Sequence, residues 1–364
     1  PCSHFGLCGG CSLQHLSPTA QIALKQKQLI EALRRVGKVE PEEIAPPITG
    51  PTEGYRRRAR LGVKYVTKRG TALVGFRERS SPFLAALESC AVLDPRVGQK
   101  LRVLGECVAG LTIRAALPQI EVACAKPVAL VLRVMHPPNE DDLASLRQLA
   151  QAEDFTLYLQ PSGPASVEPL TPPVPVLDYS PDGGADRLQF QPLDFIQING
   201  EVSQKSVRQA LAWLHPQPGE QVLELFCGLG NFSVPLARTG ALVTAVEGDT
   251  SLVARARANA ERLGLDISFH ASDLFQPFAE VPWLQKSFTS VLLDPPRAGA
   301  EAMIPIIAAH KPQRILYVSC HPGTLARDAG MLVHQHGYRL VRVGVMDMFP
   351  HTAHVESMAL FERR

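Results

Sequence analysis

From Gln221 onward, short apolar runs alternate with amphipathic stretches. Gln221–Phe226, Leu242–Glu247, Ile267–His270, Ser290–Asp294 and Arg314–Cys320 are rich in Val, Ile and Leu, as strands buried on both faces are. Between them, helical spacing runs through Arg238, over Ser251–Leu263, and again from Pro322. This alternation predicts a doubly wound, mainly parallel sheet with helices on both faces, over 186–364.

Upstream the period changes. Ile22, Leu24, Leu29, Ile30 and Leu33 predict an amphipathic helix over Ser17–Val36, with Lys25, Lys27, Arg34 and Arg35 on its charged positions. A Pro/Gly connector (Pro46–Gly54) leads to a β-hairpin from Tyr55 to Arg79, turning at Lys68-Arg-Gly70. Strands are predicted near Ile120–Ala125, Ala129–Val134 and Thr156–Gln160, with a helix over Glu140–Ala152. Pro161–Gly184, rich in Pro, Ser and Gly, reads as a linker. The expected division is a cysteine loop, helix and hairpin in 1–92, the rest of a small α+β unit in 93–185, and the α/β unit in 186–364.

Composition narrows the class. The 364 residues are 45% hydrophobic and 20% charged, with a net charge of +2, ordinary values for a globular chain. No apolar run approaches the roughly 20 residues a membrane span needs, and no signal peptide is visible, so the expectation is a cytoplasmic protein with no membrane partner. The first residue is Pro1 rather than Met, so the natural start is expected upstream. A disulfide framework is not expected in such a chain, which leaves metal ligation and catalysis for the patterned cysteines.

Candidate chemistry falls in three places. Cys2, Cys8 and Cys11, with glycines between the last two, can turn three thiols toward one centre, and Cys90 is the best fourth ligand, ahead of His4. Four thiolates suit zinc or an iron–sulfur cluster, and the spacing alone leans toward zinc. In the α/β unit, Cys227-Gly-Leu-Gly230-Asn231 is a glycine turn lacking the third glycine of a dinucleotide fingerprint, which argues against NAD. Glu247 at the end of the next strand suits ribose hydroxyls. With Asp273 and Asp294-Pro-Pro it forms the loop series of an S-adenosylmethionine (SAM) fold. Cys320 ends a strand where open α/β sheets place ligands, as a nucleophile or as an inert buried thiol. The dense arginines of the hairpin (Arg56, Arg57, Arg58, Arg60, Arg77, Arg79), bracketed by Tyr55 and Tyr65, suggest a surface that tracks phosphates.

These motifs together resemble bacterial RNA uracil-C5 methyltransferases of the iron–sulfur type that acts on 23S rRNA. The resemblance rests on Cys2-x5-Cys8-Gly-Gly-Cys11, Tyr55-Arg-Arg-Arg-Ala-Arg60, Asp194-Phe-Ile-Gln197-Ile-Asn, Leu225–Phe232, Asp294-Pro-Pro-Arg-Ala-Gly, Tyr317–Asp328 and His354-Val-Glu356-Ser. These run from one end of the chain to the other. The resemblance implies a Rossmann-like class I SAM-dependent methyltransferase domain, preceded by a smaller α+β domain with an N-terminal iron–sulfur loop. It implies a [4Fe–4S] cluster on Cys2, Cys8, Cys11 and Cys90, and SAM against Gln197, Phe226, Asn231, Glu247, Asp273 and Asp294. It implies Cys320 as nucleophile, Glu356 as base and a flipped uridine of 23S rRNA as substrate, with the enzyme a monomer. The family's N-terminal RNA-binding β-barrel, the TRAM domain, is not among these residues. Competing readings are a uridine of tRNA or another rRNA site, an amine methyltransferase, and an iron–sulfur RNA-binding protein without turnover.

Overall fold

The computed structural model describes residues 2–276 and 281–364. Ser17 caps helix α1 (Pro18–Ala32): its hydroxyl accepts from the Ala20 N–H, and Pro18 occupies the first turn. The helix widens over Leu33–Gly37, where Lys38 closes it in the left-handed region, and strand β1 (Glu43–Ile44) follows. The next unit contains β2 (Arg58–Val66), β3 (Thr71–Gly75), α2 (Pro95–Gly98), α3 (Leu101–Gly110), β4 (Gln119–Cys124), β5 (Val128–Arg133), α4 (Glu140–Glu153), β6 (Phe155–Gln160) and β7 (Glu168–Pro169). A small ribbon, β8 (Asp178–Tyr179) with β9 (Leu188–Gln189), leads into the last unit. That unit runs α5 (Gly200–Leu214), β10 (Gln221–Leu225), α6 (Ser233–Arg238), β11 (Leu242–Glu247), α7 (Thr250–Arg262), β12 (Ile267–Ala271) and β13 (Ser290–Leu293). It ends with α8 (Ile304–Ala309), β14 (Arg314–Ser319), α9 (Pro322–Gln335), β15 (Tyr338–Met346) and β16 (Glu356–Arg363).

Two sheets organise the chain. The larger has eight strands in the order β1-β15-β16-β14-β13-β10-β11-β12. It is parallel except where β16 runs antiparallel between β14 and β15. The chain steps from β10 to β11 and β12 on one side, then returns to β13 and β14 on the other. The crevice between β10 and β13 is therefore the topological switch point. One face is covered by α5, α6 and α7 through residues such as Val207, Leu236 and Ala256. The other is covered by α1, α8 and α9 through Leu29, Ile304 and Leu325. The second sheet, β3-β2-β4-β5-β6-β7, packs Leu61, Leu130 and Leu157 against Leu104 and Leu146 of α3 and α4. From its other face Ala129, Val131 and Tyr158 join the core of the larger unit.

The expected division differs from this in two respects. Segment 1–92 is not a unit: α1 and β1 belong to the larger sheet, and the hairpin β2–β3 belongs to the smaller one. The reason is the buried stripe Leu29–Leu33 of α1, which finds its partner surface on α9 and β15, while β1 pairs in parallel with β15. Nor is 161–184 a free linker, because β7 extends the smaller sheet and Tyr179 is buried in the shared core.

Candidate active site

The parallel strands deliver their C-terminal ends to one cleft of about 510 Å³. Phe226, Cys227, Gly228 and Asn231 come from the loop after β10, and Glu247 from the end of β11. Asp273 follows β12, Asp294–Arg297 follow β13, Cys320 follows β14, and Glu356 opens β16. Gln197 and Phe195, before α5, close one side, and the Phe195 ring stands exposed at the mouth. All six residues expected around SAM therefore line one cleft with the two expected catalytic residues.

The glycine turn is tight for a reason. Gly228 and Gly230 lie at φ +55° and +90°, and Phe226 itself adopts φ +66°. A non-glycine residue held there stores backbone strain, which collects at functional loops. The Gly228 N–H donates to Glu247 Oε2 at 3.0 Å, and Gly248 and Asp249 donate to Oε1. Glu247 is thus oriented before any ligand arrives. The Asn231 side-chain oxygen is buried without a partner among the described residues, an acceptor open to a donor from the cleft.

The register explains why Cys320 and Glu356 meet. Ser319 pairs with Ser357 across the antiparallel β14–β16 ladder, so the next step outward sets Cys320 opposite Glu356. Burial, with the Glu356 and Asp294 carboxylates beside it, pushes the Cys320 thiol up to about 11, while the Arg297 guanidinium pulls the other way. Burial and then Asp294 push Glu356 up to about 8, again against Arg297. Burial and Glu247 hold Asp294 at about 7. Acid groups crowded this way, each disfavouring its neighbour's ionisation, mark a site built for proton transfer. Arg297 in turn contacts His354 Nδ1 at 2.8 Å, and the His354 ring packs on Phe349 with centroids 5.0 Å apart.

The cysteine loop forms a second centre. Cys2, Cys8, Cys11 and Cys90 line one cavity together with Gln14, Arg56 and Phe76. Burial raises the thiols of Cys8, Cys11 and Cys90, Cys11 to about 11, and the neighbouring cysteines add to the shift. Among the described residues no group of three or more His, Cys, Asp or Glu converges on a single ion. A groove lined by Gly10, Arg56, Phe76, Phe349 and His354 runs from this loop to the mouth of the cleft.

The structure departs from the expected RNA contacts at three residues of the hairpin. Tyr55 is buried, its hydroxyl donating to the Pro350 carbonyl at 2.9 Å. Arg57 lies over the Tyr179 ring and donates to the Gln197 carbonyl at 2.7 Å. Arg58 donates to the Val122 carbonyl and pairs with Glu121. Each is spent inside the fold on a partner from a distant segment: Pro350 for Tyr55, Tyr179 and Gln197 for Arg57, and Val122 with Glu121 for Arg58. Arg56 reaches the groove over Phe76, and Arg60, Arg77 and Arg79 remain exposed. Sequence reasoning also missed Lys25 and Gln21: their places on α1 read as surface, yet both are buried.

Comparison with known proteins agrees with this geometry. A family model described as tRNA (Uracil-5-)-methyltransferase matches residues 187–364. The 23S rRNA (uracil(1939)-C(5))-methyltransferase RlmD of Alkalilimnicola ehrlichii is 52% identical, covering 100% of this chain and 82% of that protein. The protein of the same description from Acidithiobacillus ferrooxidans is 50% identical over 100% of this chain and 83% of its own. Among solved structures, the Pyrococcus abyssi tRNA (uracil-54, C5)-methyltransferase, in complex with S-adenosyl-L-homocysteine, superposes with a TM-score of 0.73. It is 25% identical and covers 98% of this chain and 86% of that one. With half of all residues shared over its whole length, and the thiol–carboxylate pair set at the switch-point cleft, the chain belongs to the RNA uracil-C5 methyltransferase family.

Proposed function

We propose that this protein methylates C5 of a uridine in 23S rRNA, with SAM as methyl donor. The observation that carries the reading is the pairing of Cys320 with Glu356 at the SAM-type cleft. C5 of uracil is a weak nucleophile. Addition of the Cys320 thiolate to C6 moves electron density to C5 as an enolate. SAM supplies the methyl group as an electrophile. C5 takes it as the donor's sulfur–methyl bond breaks and the sulfur leaves as a neutral thioether, giving a ring saturated at C5 and C6 that carries the Cys320 thioether at C6 and both methyl and hydrogen at C5. Glu356 then removes the C5 proton, and the electron pair left behind re-forms the double bond as the Cys320 sulfur departs. Arg297, the cation that opposes Glu356 and Asp294 at the thiol, favours the thiolate needed for the first step.

Gln197, Phe226, Asn231, Glu247, Asp273 and Asp294 are proposed to hold SAM. The oriented carboxylate of Glu247 suits the ribose hydroxyls, and the orphan Asn231 oxygen suits a donor on the ligand. A uracil stacked in a helix cannot reach Cys320, so the base must be flipped out or lie in a loop. Arg56, Arg60, Arg77 and Arg79 are the proposed backbone contacts. The groove of Arg56, Phe76, Phe349 and His354 offers one cation and several rings for flanking nucleotides.

Cys2, Cys8, Cys11 and Cys90 would hold a [4Fe–4S] cluster. The support for this is that the four thiols line one cavity, and four cysteine thiolates are the ordinary ligand set of such a cluster. A cluster there would supply redox-capable iron, but methyl transfer needs no electron, so its proposed role is structural or RNA-facing. If protein stripped of iron kept its fold and full RNA affinity, that role would be lost.

The decisive experiment uses 5-fluorouridine-substituted 23S rRNA fragments with SAM. Fluorine at C5 blocks the final elimination, so a covalent adduct is expected to accumulate at Cys320 and to vanish in Cys320→Ala. An exocyclic-amine methyltransferase would form no adduct and would survive Cys320→Ala. An RNA-binding protein without turnover would not bind SAM in calorimetry.

A further inference from the structure

Helix α1 carries a buried stripe at Gln21, Lys25, Leu29 and Leu33, four residues apart at each step. Its second half is apolar and fills the core between α9 and the sheet. Its first half is an amide and an ammonium, respectively 1% and 0% exposed. A helix serving only to cover a core would be apolar throughout, since burying a cation costs far more than burying leucine. The polar half faces the loop 347–355 between β15 and β16, and the Gln21 amide also donates to the Leu13 and Leu16 carbonyls at 3.1 and 3.0 Å, tying the turn before α1 to the same place.

That loop takes several of its contacts from α1 and the residues before it, alongside those from Ile48, Tyr55 and Arg297. Lys25 Nζ donates to Asp347 Oδ1 at 2.7 Å and to the Phe349 carbonyl at 2.9 Å. The Gln21 carbonyl oxygen accepts from the His351 N–H at 2.8 Å, and its amide contacts His351 Nδ1 at 3.1 Å. The Ser12 and Leu13 N–H groups both donate to the His351 carbonyl at 2.9 Å. The loop carries Phe349 and His354 to the cleft mouth and then becomes Glu356. Across the ladder, Glu356 pairs with Met346, the residue before Asp347. The Lys25–Asp347 contact is thus one residue from the strand position that sets the base.

We infer that Gln21 and Lys25 are positioning residues for methyl transfer, fixing the path of loop 347–355 so that Glu356 stands beside Cys320 and the Phe349–His354 pair beside the cleft. This rests on the proposed function. Neither residue lines the cleft. A misplacement of about 1 Å at a reacting group can cost on the order of a hundredfold in rate.

The test separates positioning from stability. Lys25→Met alone leaves Asp347 buried and unpaired, and lowers the melting temperature. Lys25→Met with Asp347→Leu removes both charges and is expected to restore melting while kcat stays down by about tenfold or more. The cleft that holds SAM is built from other elements, so SAM affinity should stay within about twofold of wild type. Hydrogen exchange at amides 347–355 should quicken in the double variant and in Gln21→Leu. A double variant with wild-type kcat and protected loop amides overturns the inference, and so does one whose SAM affinity falls along with kcat. A wild-type chain that leaves 23S rRNA unmethylated sinks the functional reading instead, whatever the loop amides show.

Discussion

At the scale of single residues, charge and burial conflict at the cleft, and the conflict has measurable consequences. Glu224 on β10 is fully buried, with one oxygen accepting from the Ser233 hydroxyl and the other unpaired. Burial pushes its carboxyl from 4.5 up to about 8, with Asp294 and Glu247 adding to the shift. A carboxyl raised in the folded state binds more protons there than in the unfolded chain. Its contribution is therefore full at low pH and is lost as pH rises through the window from 4.5 to about 8. Glu224→Gln, neutral at every pH, should flatten this fall and raise stability near pH 8 relative to wild type, read by urea unfolding across pH. An unchanged pH profile would show Glu224 ionised at no cost. Glu356 tests the neighbouring pair. Because its carboxylate holds the Cys320 thiol up, Glu356→Gln should speed iodoacetamide alkylation of Cys320 at mildly alkaline pH by up to about tenfold. The same variant should stall on natural RNA with the adduct uneliminated.

At the scale of elements, the close docking of α1 on α9 matters as much as the strands that carry the chemistry. A Cβ built on Gly37 would sit 2.4 Å from the Ala326 carbonyl oxygen, and one on Gly330 would sit 2.9 Å from that of Gly37. Both neighbours are backbone and cannot turn aside. Gly37→Ala should therefore cost about 2 kcal/mol, visible as a lower urea midpoint with an unchanged slope. Stability equal to wild type would mean that the end of α1 is free to shift. The register of β14 against β16 belongs to this scale too. A slip of one residue would move Glu356 from its place beside Cys320 and turn β16 inside out.

At the scale of the whole molecule, the protein joins a methyl-transfer cleft to a cysteine loop through one groove, and its proposed RNA grip should lie along that line. Arg77→Ala and Arg79→Ala, both at exposed positions, should weaken rRNA binding with little change in melting, each reducing the salt slope of log K by about 1. Arg57→Ala should instead lower melting, because the guanidinium is stacked on Tyr179 inside the fold. Equal effects of all three on RNA binding and none on stability would contradict this division of the hairpin.

Much of this was legible in the chain alone. Strands 221–225, 242–247, 267–271, 290–293 and 314–319 and the helices α6, α7 and α9 followed from period and turn chemistry, since a doubly wound sheet repeats one local rule, whereas α8 did not. The loop residues at the strand ends followed as well, because an open parallel sheet sends all its C-terminal ends to one crevice. Which arginines of the hairpin face water, and where α1 docks, depended on partners distant in sequence. So did Lys25: in a helical pattern a lysine among apolar residues reads as surface, and only Asp347, more than 300 positions away, turns it into a buried support for the catalytic loop. Local periodicity sets the elements; the pairing of remote polar groups, which no local pattern carries, sets the loop that brings Glu356 to Cys320.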